Sequence, residues 1–134
     1  MCGQAAGASN VLDTLRSELE ILNINAAIHE VGCLGLCFAE PLVDVVKPGG
    51  SRLFFKNVSP NEVSNLISNY LKNDVFPENK VLGYLGEATV HNAPDLSDMP
   101  SMAMQHRIAL RNAGHLAPSD ILQYVANGGY EGLN

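Results

Sequence analysis

A chain of 134 residues with a formal net charge of −6 has the size of one compact domain, with room for a short piece of another. Its eight Lys plus Arg are scattered, which argues against nucleic-acid binding, where cations must gather against phosphates. No apolar run approaches the ~18–20 residues of a membrane helix, so no membrane span is expected. Three cysteines without a charged-then-apolar leader do not make a secreted disulfide framework, and a cytoplasmic location follows as an expectation.

Residues 9–22 set Val11, Leu12, Leu15, Leu19 and Leu22 at helical spacing, with Asp13, Arg16, Glu18 and Glu20 on other faces. This pattern predicts an amphipathic helix capped by Ser9. After an Asn-rich turn, AAIHEV (26–31) predicts a strand, PLVDVV (41–46) a second, and SRLFFKNV (51–58) a third. The KPGG between the last two is turn chemistry, so 42–46 and 51–56 should form a hairpin. Ser59-Pro60 opens a second helix striped by Val63, Leu66, Ile67, Tyr70 and Leu71. Helix, strand, hairpin and helix together predict an α/β sandwich with a cysteine loop at one end of its sheet.

Further on, KVLGYLG (80–86) reads as a short extended segment. Residues 87–106, with Pro94, Pro100 and little apolar period, read as a linker in which Met99, Met102 and Met104 are apolar filler at a domain contact. Pro118, Ser119 and Asp120 begin a small helix through Ile121, Leu122 and Val125 that Gly128-Gly129 ends. That helix has no partner in its own segment, so it should pack on the first domain or on another protein.

Chemistry concentrates at the cysteines. GCLGLC (32–37) places Cys33 and Cys37 four positions apart between glycines that remove side-chain bulk, and Cys2 lies in the small-residue stretch MCGQAAGAS. Thiolates are soft ligands for zinc or iron–sulfur clusters, and short loops of small residues let backbone amides approach such a site. Spacing alone leaves three readings open: metal ligation, a dithiol redox switch, and ordinary buried thiols. The four histidines show no i, i+4 pairing that would favour zinc. Glu40-Pro41 fixes the exit of the cysteine loop rather than performing acid–base chemistry.

CGQAAGA, GCLGLCFAEPLVDVV, the hairpin and above all RIALRNAGHLAPSDILQYVANGGYEGL resemble the amino-terminal part of the flavin-carrying, NADH-oxidising subunit of respiratory complex I and of NAD(P)-linked, electron-bifurcating hydrogenases. The resemblance implies a thioredoxin-like ferredoxin sandwich with a [2Fe-2S] cluster over residues 1–86. A linker over 87–106 would follow, and then a short helical C-terminal extension, 107–134, that opens the FMN- and NADH-binding domain. It implies Cys2, Cys33 and Cys37 as three of four cluster ligands. Gly7 stands where the family's first loop has its second cysteine, which leaves Ser9, His29 or a partner's side chain to complete the set. FMN and NAD sites belong to the remainder of the parent subunit, so the chain alone is not expected to oxidise NADH. Implied partners are the other subunits of such a dehydrogenase or hydrogenase, including a small thioredoxin-like ferredoxin subunit. The family's opening strand has no counterpart before Cys2, which predicts an empty sheet position in a shortened gene product steadied by a neighbour. The functional expectation is an electron-transfer module, with a cluster-free docking domain of the same subunit as the alternative.

Overall fold

The computed structural model describes residues 2–133. Its centre is a three-stranded antiparallel sheet in the order β1 (Val43–Val46), β2 (Arg52–Phe55), β3 (Val81–Leu85). The expected hairpin is present, with Val43 opposite Phe55 and Val46 opposite Arg52. The extended segment at 80–86 becomes β3, paired to β2 through an irregularity between Phe54 and Phe55. The chain is thus a mixed α/β protein.

Alternation along β2 divides the interior into two cores, because successive side chains point to opposite faces of a strand. Leu53 and Phe55 face a layer made by α2 (Ala8–Ile21) and α3 (Pro60–Leu66), where they meet Val11, Leu19, Val63, Leu66, Ile67 and Tyr70. Phe54 faces the other way and meets Leu34, Leu36, Ala39, Leu82 and Leu96. The cysteine loop therefore lies over one face of the sheet as its second layer, rather than only at its end. Fully burying side chains of this size contributes about 1.5–3 kcal/mol each, so Leu34 and Leu36 anchor the loop between Cys33 and Cys37.

Helix α3 starts as its sequence requires: the Ser59 amide and hydroxyl both donate to the Glu62 carboxylate, at 2.9 and 2.6 Å, and Pro60 occupies the first turn. It continues through a wider π-type turn at Ile67–Lys72, which keeps Ile67 and Tyr70 in the core. Lys47, in the hairpin turn, donates to the Tyr70 carbonyl at 2.8 Å and lies over the Tyr70 ring, tying the turn to the helix end. Helix α2 departs from expectation at its start. The Gly7 carbonyl accepts from Asn10 and Val11, so the helix begins before Ser9, and no side chain caps it. Ahead of it, Cys2–Ala5 form a helical turn, α1, instead of an open loop.

Two further expectations are corrected. Residues 26–31 form no strand: Ile28 packs against the helix-side core, but the backbone has no neighbouring strand with which to form a ladder. Residues 87–106 are not a free linker. The Tyr84 amide donates to Pro94, a 3-10 turn at Leu96–Asp98 buries Leu96 completely, and α4 (Pro100–Ala103) follows against it. Met99 and Met102 pack on the loop-side core, whereas Met104 is exposed. The C-terminal helix, α5 (Ile121–Ala126), is capped by the Asp120 carboxylate accepting from the Leu122 and Gln123 amides. Among the described residues, no helix is long and apolar enough to cross a membrane.

Candidate functional site: the paired thiols of the cysteine loop

Cys33 and Cys37 lie on either side of a turn whose two leucines point into the loop-side core, which turns both thiols outward to solvent. Their sulfurs are 4.0 Å apart. Two thiolates bound to one tetrahedral ion at ~2.3 Å would stand about 3.8 Å apart, so the pair has the spacing of two ligands on one metal. The Gly35 amide donates to Cys33 Sγ at 3.2 Å, the kind of N–H···S contact that stabilises a thiolate and sets the potential of a cluster it binds. Gly35 adopts φ 90°, a conformation that a side chain would strain.

Cys2 lies on α1, and its thiol is the largest influence on Cys37. Gly3 beside it lies so near the Glu40 carboxylate that a Cβ there would be 3.0 Å from Oε2. Glu40 in turn accepts from the Leu42 amide at 3.0 Å and fixes the passage from the loop into β1. Hydrogen bonding to Cys2, then to Cys33, and the repulsion of their charges push the Cys37 thiol up to about 11. All three cysteines are free.

Cys33 and Cys37 thus present two exposed thiols at the spacing of two ligands on one metal, and Cys2, also exposed, lies on the separate turn α1. Among the described residues, no group of three or more His, Cys, Asp and Glu side chains is placed to hold a metal ion. His29 is drawn elsewhere: its Nδ1 is 3.3 Å from Gln123 Nε2. Ser9 lies exposed in the first turn of α2. Gly7 has no atom within 4 Å of where its Cβ would be, so the space beside it is open.

A second group of residues surrounds the loop from behind. Arg107 Nη2 donates to the Leu34 carbonyl and lies 3.3 Å from Met102 Sδ, and its Nε donates to Gln105 Oε1 at 3.0 Å. Arg52, ion-paired with Asp44 at 3.1 Å, donates to the Gly114 carbonyl at 2.7 Å. His115 is held below its ordinary range by burial and by the charges of Arg52 and Arg107. Burial raises Asp44, an effect opposed by Arg52. None of these residues stands out in the sequence. Arg107 and Arg52 act through backbone carbonyls far along the chain, which no local pattern marks.

No protein-family model matches the chain, and no curated protein matches it.

Proposed function

We propose that the chain is an electron-transfer module in which Cys2, Cys33 and Cys37 hold a [2Fe-2S] cluster, in the manner of the thioredoxin-like ferredoxin domain at the front of an NADH-oxidising flavin subunit. The observation that carries this reading is the 4.0 Å separation of the Cys33 and Cys37 sulfurs beneath the Gly35 amide, with Cys2 arriving from a separate element. When bound, such a cluster supplies single-electron transfer and no bond chemistry. The residues of the chain hold it, hydrogen-bond its sulfur ligands and leave it exposed for exchange with a neighbour. Phe38, exposed beside Cys37, offers an apolar contact to that neighbour. The reading places the chain in the cytoplasm, beside the other subunits of an NADH dehydrogenase or NAD(P)-linked hydrogenase, with the FMN and NAD sites outside residues 1–134.

A second reading, a cluster-free docking domain, is favoured by the open fourth ligand position and by the apolar exposure of Ile121, Leu122 and Val125 on α5. Iron and acid-labile sulfide per chain, measured with the visible spectrum on protein purified without oxygen, separate the two. Two of each with thiolate-to-iron absorption establish the cluster. Folded, colourless protein that takes up no iron on reconstitution leaves the docking domain.

A further inference from the structure

The segment beginning at Arg107 is expected from sequence to open a separate domain. In the structure it is instead fastened to the thiol loop at several points. Arg107 donates to the Leu34 carbonyl, between the two cysteines of the loop. The Leu34 side chain fills the space that a Cβ on Gly114 would need, and Gly32 lies against Ala113. Gln123 meets His29 just upstream, and Arg52 holds the Gly114 carbonyl from β2. Of these contacts, only Arg107 brings a full positive charge to the turn: its Nη2 lies 3.9 Å from where a Gly35 Cβ would be.

We propose that Arg107 is a positioning residue for the thiol site: its hydrogen bond to the Leu34 carbonyl holds the turn that aims the Gly35 amide at Cys33 and keeps Cys33 and Cys37 at metal-ligand spacing. This rests on reading the thiols as a metal site. A guanidinium reaches that carbonyl while also meeting Met102 and Gln105, so its position is set from three sides. Ligands of a metal are oriented by the groups behind them, and loss of such a group typically lowers metal affinity ~10–100-fold. The charge of Arg107 also favours a site that becomes more negative on reduction, so its removal should move a bound cluster to a more negative potential.

The test uses the whole chain with Arg107→Gln and Arg107→Lys, and two readouts. One is amide hydrogen exchange at Gly35, with β2 as internal reference, which needs no metal. The other is titration with cobalt(II), followed by thiolate-to-cobalt absorption. The proposal expects R107Q to speed exchange at Gly35 about tenfold or more with β2 unchanged, and to weaken cobalt binding about tenfold or more, with R107K recovering most of both. Unchanged exchange at Gly35, or equal loosening of Gly35 and β2, overturns it. If R107Q does not fold, Arg107→Met, which keeps the apolar stem and removes the donors, decides by the same comparison between Gly35 and β2. Failure of the wild-type chain to bind cobalt through its thiols would count against the metal site itself, while the exchange result still decides whether Arg107 positions the turn.

Discussion

Leu34 occupies the place where Gly114 would carry a side chain: a Cβ on Gly114 would come 2.3 Å from Leu34 Cγ. The two residues join the thiol loop to the C-terminal segment at a point with no room to spare. Gly114 also adopts φ 78°, which a side chain tolerates poorly. Gly114→Ala should therefore lower stability by about 1–3 kcal/mol, through overpacking with added backbone strain. Urea unfolding of the two proteins measures this directly, and equal midpoints would show that the contact yields freely.

The crowding of Cys2 and Cys33 around Cys37 predicts a slow thiol. With its ionisation pushed up to about 11, Cys37 should react with iodoacetamide at about pH 8 roughly a hundredfold more slowly than free cysteine, because only the thiolate attacks. Cys2→Ala removes the largest influence and should speed the reaction. Peptide mass spectrometry of timed, metal-free samples follows it. An unchanged Cys37 rate in the variant would mean that Cys2 does not converge on the site.

Acid should weaken the junction between α3 and β3. Lys80, 2.6 Å from Glu62, and then Ser59 hold the Glu62 carboxyl down to about 2. A carboxyl that titrates lower in the folded chain than its unfolded value of ~4.3 adds stability above that value, and this is lost as pH falls through about 2. Both side chains are partly solvated, so the contribution is small. Glu62→Gln should lose stability at neutral pH and show a shallower decline between about pH 5 and about pH 2. Urea midpoints at the two ends of that range suffice, and parallel pH profiles would remove Glu62 as the cause.

Leu96 tests whether residues 87–106 belong to the core. It is fully buried, against Phe54 and Leu82 on the loop side of the sheet. Leu96→Ala should cost about 2–5 kcal/mol, the range for a leucine removed from a packed interior. A cost near zero would restore the free linker expected from the prolines.

What the sequence determined by itself is local. The α2 and α3 stripes, the Ser59-Pro60 start of α3, the KPGG hairpin and the Asp120 start of α5 all depend on residues within a few positions of one another, and all appear in the structure. The three cysteines were legible for the same reason, since small residues around each thiol mark where backbone and sulfur can approach. Tertiary structure decided the rest. Ile28 turns inward at 26–31, but a strand also needs a neighbour to accept its hydrogen bonds. Prolines at 94 and 100 break regular structure without saying that Leu96 will close over Phe54. Arg107 and Leu34, 73 residues apart, meet through a backbone carbonyl, and every residue has one; only the fold determines which carbonyl a distant guanidinium reaches.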